Sequence, residues 1–120
     1  MAIVVENSRV PKLVSWFFPV AGFTFGPFIF IDKSIQRGTR QFDTLLNHEK
    51  IHVVQQYELL FIGHWFLYLL FTLVGLIKYR SVHKAYRENV FELEAYNNQD
   101  DLLYLHRRKL YSWFKLIWKK

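Results

Sequence analysis

The segment from His48 to His52, with the sequence His-Glu-Lys-Ile-His, constrains the fold of this chain more than any other feature. On a helix, positions i and i+4 lie on one face, so His48 and His52 can bind one tetrahedral metal ion together. Glu49 lies at the edge of that face, where its carboxylate can reach a metal-bound water without being a ligand. Because two ligands alone do not make a site, the segment predicts a helix and a further ligand from elsewhere in the chain.

The same five-residue pattern is the arrangement of zinc metallohydrolases. Zinc lowers the pKa of a bound water, and a neighbouring carboxylate can take the proton of that water to make the attacking hydroxide. The chain has no cysteine, so the metal must be bound by histidine and carboxylate. We therefore predict Zn²⁺ as the cofactor and Glu49 as the general base.

Two uncharged runs of 19 residues, 13–31 and 59–77, are close to the length that crosses a bilayer. Prolines and glycines interrupt the first run. We divide it into an apolar half-helix at about 11–20 and an extended strand or hairpin at about 22–31. The alternative is one kinked transmembrane helix. The second run is the strongest transmembrane candidate, and its lone His64 is expected to be a packing residue.

The net charge of +6 suits either nucleic acid or an anionic membrane surface, and the apolar runs favour the lipid bilayer over nucleic acid. The C-terminal part interleaves leucine and aromatic residues with lysine and arginine. This composition predicts a basic amphipathic helix over 102–118 that lies along a membrane surface. By the positive-inside rule, residues 78–120 and the helix of His48 are expected on the cytoplasmic side of the membrane.

The expected fold is one mainly α-helical, membrane-associated domain over residues 1–120. A short N-terminal β-strand or hairpin at about 22–31 precedes the helix that contains His48. Asp43 or Thr44 is the expected N-cap of that helix.

Two carboxylates, Glu92 and Glu94, lie in the otherwise apolar segment 91–96, with the sequence Phe-Glu-Leu-Glu-Ala-Tyr. With this segment the chain resembles the gluzincin class of zinc peptidases, in which a glutamate from a later helix completes the ligand set. It looks most like the membrane-embedded branch related to CAAX-prenyl and heat-shock membrane proteases, whose third ligand opens a Glu-x-x-Ala-Asp pattern. The resemblance implies Glu92 as the third ligand beside the two histidines, with Tyr96 where the family has aspartate.

The chain is also similar to small bacterial membrane proteins that contain a Gly-x-Thr-x-Gly strand, a His-Glu-x-x-His-x-x-Gln helix and a Phe-Glu-x-Glu-Ala-Tyr segment. Here these motifs lie at 22–26, 48–55 and 91–96. This second resemblance implies no activity, but it implies a bacterial inner membrane as the location. In peptidases of the gluzincin type the strand before the zinc helix pairs with the substrate backbone, and that strand would be 22–31.

Four further residues are candidates to hold substrate or to orient a metal ligand. Gln55 and Gln56 lie three and four positions beyond His52, on or beside its face of the helix. Glu94 and Tyr96 accompany Glu92 in the downstream segment. Alternatively, the two glutamines are the polar stripe of an amphipathic helix.

A fully spanning segment 59–77 conflicts with a metal site shared by His52 and Glu92, because these residues would lie on opposite sides of the bilayer. If residues 44–78 were one straight helix, Glu92 on a returning helix would lie about 27 Å from His52 at about 1.5 Å per residue. The site therefore requires a break within the run, and Gly63 is the natural place. We favour such a bent or re-entrant hairpin over the absence of a three-ligand site.

Two functions fit these features. The first is a small membrane-associated zinc metallohydrolase, a peptidase of the gluzincin type that acts on a peptide or protein substrate. The second is a non-catalytic small membrane-protein subunit of a larger membrane complex, in which the His-Glu-x-x-His segment is structural or binds metal without turnover. A chain of 120 residues leaves little room for a substrate cleft and favours the second function. The combination of three candidate ligands, His48, His52 and Glu92, with the candidate base Glu49 favours the first function.

Overall fold

The computed structural model describes residues 3–8, 11 and 22–118. It is mainly helical with a small N-terminal sheet, which confirms the predicted fold class in its helical content and its early strands. The half-helix expected at about 11–20 falls outside the described residues, apart from Pro11. In chain order the strands are β1 (Ile3–Ser8), β2 (Gly22–Phe25) and β3 (Phe28–Asp32). The helices are α1 (Arg40–Glu58), α2 (Ile62–Tyr79), α3 (Val82–Arg87), α4 (Val90–Asn98), α5 (Tyr104–Arg107) and a 3₁₀ helix (Phe114–Ile117).

The predicted hairpin at about 22–31 is present as the antiparallel pair β2 and β3. Gly26 turns between them with φ +58°, a left-handed conformation that glycine adopts without a Cβ clash. Strand β1 pairs in parallel with β3, so the strand order is β1-β3-β2. The sequence did not predict β1, because a parallel pairing is set by a distant partner and leaves no local turn signal.

The N-cap of helix α1 lies four residues before Asp43 and five before Thr44, the two predicted N-caps. Thr39 is the N-cap, and its hydroxyl accepts a hydrogen bond from the backbone N–H of Phe42. Asp43 lies instead in the first turn, where a negative charge is favourable near the helix N-terminus. The helix packs on the sheet through a buried apolar cluster formed by Ile29, Ile31, Ile35, Phe42 and Val53.

The chain reverses between α1 and α2, at Leu60 and Phe61. Both residues have positive φ, 55° and 62°, which is unusual for side chains with a Cβ. The backbone N–H of Phe61 donates to the carbonyl of Gln56 at 2.7 Å and closes the turn. The predicted break is therefore present, but the choice of Gly63 was wrong because that residue lies in the first turn of α2. As a result α2 folds back beside α1, and the run 59–77 is not one straight helix.

Asn89 joins α2 to α4. Its side-chain amide donates to the backbone carbonyl of Tyr68 and to the hydroxyl of Thr72, both at 3.1 Å. Its side-chain oxygen accepts from the N–H of Phe91 and caps α4. These bonds fix the position of α4 along the axis of α2. They place Glu92 beside Tyr68 and close to α1.

The predicted continuous amphipathic helix over 102–118 was wrong. This segment forms α5 and the short 3₁₀ helix, with extended backbone at Arg108 and positive φ at Tyr111. The physical reason is that the segment is pinned to the protein. Arg108 forms buried ion pairs with Glu58 of α1 and Glu94 of α4, and Trp113 is buried on Phe91 with its indole N–H donating to Glu58.

Substituting Arg108 should destabilise the fold strongly. The side chains of Arg108, Glu58 and Glu94 are 3%, 4% and 2% exposed, so Arg108→Ala leaves two buried carboxylates without their partner. We expect the free energy of unfolding to fall by about 3–5 kcal/mol in guanidinium chloride titrations followed by tryptophan fluorescence. The matched control is Arg107→Ala, because Arg107 is 62% exposed in its pair with Asp101 and its loss should cost under about 1 kcal/mol. Equal effects at the two positions would contradict this account of the C-terminal segment.

Candidate metal centre

Three buried side chains converge between α1 and α4. The Nε2 atoms of His48 and His52 lie 3.1 Å and 3.0 Å from Oε1 of Glu92, and 3.2 Å from each other. All three residues are buried, and the group can hold a metal ion. The structure thus brings together the three ligands that the sequence suggested.

The spacing of the three donor atoms fits a tetrahedral metal ion. Metal–ligand distances of about 2.0–2.1 Å in a tetrahedron require ligand atoms about 3.3 Å apart. The observed separations of 3.0–3.2 Å are close to that value. Two imidazole nitrogens and one carboxylate oxygen are also a donor set that several divalent transition metals accept. The residues present therefore fit a bound metal.

Hydrogen bonds on the outer side of both rings orient them toward the centre. Nδ1 of His48 donates to Oε1 of Gln99, and Nδ1 of His52 donates to Oε1 of Gln55, both at 2.8 Å. The orientation of the Gln55 amide is set by its own donor, which bonds the carbonyl of Phe91 and Oε1 of Glu94. With Nδ1 protonated, each Nε2 presents a lone pair to the centre, as a metal ligand must.

The two Nε2 lone pairs and the Glu92 oxygen repel one another at separations of 3.0–3.2 Å. A proton or a metal ion must therefore lie among them. Burial disfavours the imidazolium, but the charge and hydrogen bonds of Glu92 outweigh burial and raise the pKa of His52 to about 9. Burial likewise raises the pKa of the Glu92 carboxyl, but the two histidines reverse this and hold it well below its usual range. A proton on His52 thus balances the carboxylate when no metal is bound. A divalent cation would take the place of that proton.

Glu92 is held at both carboxylate oxygens. Oε1 faces the histidines, and Oε2 accepts a hydrogen bond from the hydroxyl of Tyr68 at 2.7 Å. Tyr68 lies on α2, so the fold-back of α2 is what supplies this contact. The sequence gave no sign of Tyr68, because it lies in an apolar run and reaches Glu92 only through the chain reversal.

Glu49 lies beside the cluster without joining it. Its Oε2 is 4.0 Å from Nε2 of His48, and its Oε1 accepts a 2.6 Å hydrogen bond from the hydroxyl of Thr24 on β2. The carboxylate is therefore fixed with one oxygen near the metal position, as a general base requires.

The Gly-x-Thr-x-Gly motif is explained by these contacts. A Cβ on Gly22 would lie 3.2 Å from both Cγ and Oε2 of Glu49, so only glycine lets β2 approach this carboxylate closely. Thr24 bonds Glu49 directly, and the backbone N–H of Gly26 donates to Oε1 of Gln56 at 2.8 Å. All three motif residues therefore position α1 or its side chains.

The remaining predicted residues occupy supporting positions. Gln56 accepts from Trp65 and Gly26 and so ties α1 to α2 and β2, rather than facing the metal. Tyr96 packs edge-on against the His48 ring with centroids 4.5 Å apart. Glu94 points away from the metal position toward Arg108, whose bonds outweigh burial and lower the pKa of this carboxyl. It also receives the Gln55 amide, so it acts on His52 through Gln55.

Two further residues of the site escaped the sequence analysis. Gln99 orients His48, and Asn47 places Gln99 by donating to the backbone carbonyls of residues 98, 99 and 101. The signal available for Asn47 was its position beside His48. Gln99 lies 51 positions from its partner, and the local pattern could not relate the two residues.

Two spaces border the cluster. A cleft of about 510 Å³ opens on one side and is lined by polar side chains that include Arg40, Thr44, His48 and Glu49. A smaller cavity of about 110 Å³ is lined by His52, Glu49 and Glu92 together with residues of β2 and α2. Glu49 lines both spaces, the open cleft and the smaller inner cavity. Comparisons of the chain with protein-family models, with curated proteins and with solved structures find no match.

The close approach of Gly22 to Glu49 predicts a specific cost of adding a methyl group. Gly22→Ala places a Cβ 3.0 Å from Leu45 Cδ1 and 3.2 Å from Glu49, so β2 or α1 must shift. We expect a loss of about 1–3 kcal/mol in the free energy of unfolding, measured by chemical denaturation. Gly63→Ala is the control, because its nearest atom is 3.4 Å away and alanine favours a helix by about 0.5–1 kcal/mol. A Gly22→Ala variant as stable as the wild type would show that the strand does not pack as described.

Proposed function

We propose that this chain is a membrane-associated zinc metallohydrolase and acts as a peptidase similar to the gluzincins. The observation that carries the proposal is the convergence of His48, His52 and Glu92 beside a fourth side chain, Glu49, that is held near the same point but makes no part of the ligand set. A site that only stored or stabilised metal would not need this additional carboxylate.

Zinc is the metal proposed because the donors are two imidazoles and one carboxylate, in tetrahedral spacing, with no cysteine in the chain. Three protein ligands leave a fourth position open, which is the usual arrangement of catalytic zinc. A zinc ion held there would polarise a carbonyl group and activate a water.

The side chains supply the proton transfers. Glu49 accepts the proton of the attacking water at Oε2, while the Thr24 hydroxyl holds Oε1 and keeps the carboxylate from rotating. The same carboxyl group then returns the proton to the leaving amine. Tyr68, Gln55 and Gln99 hold the three ligands in position throughout.

A peptide substrate is supported by the position of β2. In the described residues β2 is an edge strand of the sheet, paired with β3 alone, and its Gly22 and Thr24 contact Glu49. An extended peptide laid beside an edge strand gains backbone hydrogen bonds and passes the catalytic carboxylate. The non-catalytic alternative is favoured by one observation, the small volume of the inner cavity, about 110 Å³.

Membrane association is proposed from α2. This helix is long and apolar enough to cross a membrane by length and composition, and only 17% of it is buried inside the protein. Its exposed apolar side chains recur at helical spacing along one stripe, namely Ile62, Phe66, Leu69, Leu70, Leu73, Val74 and Ile77. Lys78 and Arg80 follow at its end, where basic residues meet lipid headgroups. The opposite side of α2 faces the metal centre, so the proposed site lies at the membrane boundary.

Three matched carboxylate-to-amide substitutions test the zinc site. Glu92→Gln should lose zinc, because it removes the charge of a ligand. Glu94→Gln should keep zinc, because Glu94 faces Arg108. Glu49→Gln should also keep zinc while the hydrolysis of fluorescein-labelled casein falls at least about 100-fold. Zinc per chain is measured by inductively coupled plasma mass spectrometry after purification in detergent.

The wild type should contain one zinc per chain and His52→Ala almost none. Equal zinc in Glu92→Gln and in the wild type would remove the proposed ligand set. Bound zinc with no casein hydrolysis in the wild type would instead favour the non-catalytic membrane subunit.

The lipid contact of α2 is tested by removing apolar surface that the fold does not use. Phe66→Ser with Leu73→Ser alters two exposed residues of α2 and should weaken partition into liposomes about 10–100-fold in flotation assays. The matched control is Leu102→Ser with Leu103→Ser, an exposed apolar pair outside α2. A loss of partition in the control that equals the loss in the α2 variant would contradict the assignment of α2 as the lipid-contacting surface.

A further inference from the structure

His64 is a buried histidine whose ring has no hydrogen-bond partner. The residue is 1% exposed, and among the described residues neither Nδ1 nor Nε2 finds a donor or acceptor. Buried polar atoms are normally paired, because leaving them unpaired costs free energy. A residue that served only for packing here would be phenylalanine or leucine, which fill similar space without that cost.

The ring lies against the inner cavity beside the metal centre. Its centroid is 6.5 Å from that of His52 and 4.5 Å from that of Phe91, and it lines the cavity together with Glu49 and Glu92. The ring does not belong to the group of His48, His52 and Glu92, whose donor atoms all lie within 4.8 Å of one another. His64 is therefore next to the cluster without being one of its ligands.

The inner cavity has room for part of a bound molecule beside this ring. Its volume of about 110 Å³ exceeds the roughly 10–15 Å³ that one water molecule needs by this measure. A small group, such as a carbonyl and its neighbouring atoms, can therefore enter it. The open cleft lies on the other side of Glu49, which lines both spaces.

The ring of His64 differs from the other described polar side chains of the cavity because neither of its nitrogens has a hydrogen-bond partner. Each of the others already makes at least one hydrogen bond within the protein. Thr24 donates to Glu49, Gln56 to the carbonyl of His52, Trp65 to Gln56, Tyr68 to Glu92, and the hydroxyl of Tyr86 is bonded to that of Tyr96. A neutral imidazole always has one N–H, so the ring of His64 presents either a free donor or a free acceptor at each nitrogen.

We propose that His64 binds the substrate's carbonyl oxygen in the inner cavity and stabilises the negative charge that develops on it. The inference rests on the proposed hydrolase function. When water attacks, a C–O bond forms, the water's proton passes to Glu49, and the carbonyl electron pair moves onto the oxygen that His64 contacts. When the C–N bond breaks, that pair returns to form the carbonyl, and the proton on Glu49 passes to the leaving amine. A preorganised donor at that oxygen stabilises the charged state more than the neutral substrate.

The experiment compares His64→Phe with His64→Gln in the 120-residue chain loaded with zinc. His64→Phe preserves the ring shape and removes both nitrogens, and His64→Gln restores a side-chain donor. The probe is a phosphinic dipeptide, whose charged tetrahedral oxygen resembles the reacting oxygen. Its dissociation constant is measured by calorimetry, together with kcat/KM for labelled casein, zinc content and thermal stability. His83→Phe, at an exposed histidine of α3, is the matched control.

We expect His64→Phe to keep one zinc per chain and to unfold at the same or a higher temperature than the wild type. Its affinity for the phosphinic dipeptide and its kcat/KM should both fall about 10–1000-fold. His64→Gln should recover part of both losses, and His83→Phe should behave as the wild type. A His64→Phe variant that binds the phosphinic dipeptide as tightly as the wild type, with zinc in place, overturns the proposed role of His64. That outcome does not affect the proposed hydrolase function. Absence of zinc, or of probe binding, in the wild type overturns the hydrolase function and this role with it.

Discussion

The buried contact of Glu92 with His48 and His52 is the interaction on which the rest of the structure depends. It joins α1 to α4 through a carboxylate that burial alone would not tolerate in its charged form, and the two imidazoles make that charge favourable. Elements around it serve to maintain it. The chain reversal at residues 60–61 folds α2 back, so that Tyr68 contacts Glu92. Asn89 fixes the position of α4 along the axis of α2.

Around this contact lies a layer of buried hydrogen bonds that extends to the C-terminal segment. His52 is oriented by Gln55, Gln55 by Glu94, and Glu94 by Arg108, whose other partner is Glu58. The C-terminal segment, which looks on composition like a membrane-surface helix, is thus part of the support of the candidate metal centre. The positive charge of Arg108 lies inside the protein, whereas Lys109 and Lys115 are exposed.

A small chain reaches this degree of organisation by giving several elements two roles. Helix α2 presents one side to the cluster and an apolar side outward. Strand β2 closes the small sheet and also holds Glu49 through Thr24, with Gly22 allowing the approach. The inner cavity lies where these elements meet, and His64 is the residue on its wall whose polar atoms the fold leaves unused.

The sequence by itself determined the features that follow from local spacing. These are the helix with His48 and His52 on one face, and the strand or hairpin at about 22–31, where prolines and glycines interrupt the first apolar run. The candidacy of Glu92 came instead from a resemblance in the segment around it. Local spacing could not place β1, the partners Tyr68 and Gln99, or the course of residues 102–118. Each of these depends on contacts between residues far apart in the chain, and Arg108 illustrates the reason. An arginine in an amphipathic pattern favours the surface, and only two buried carboxylates brought together by the fold, Glu58 and Glu94, make its burial favourable and break the helix that the pattern predicts.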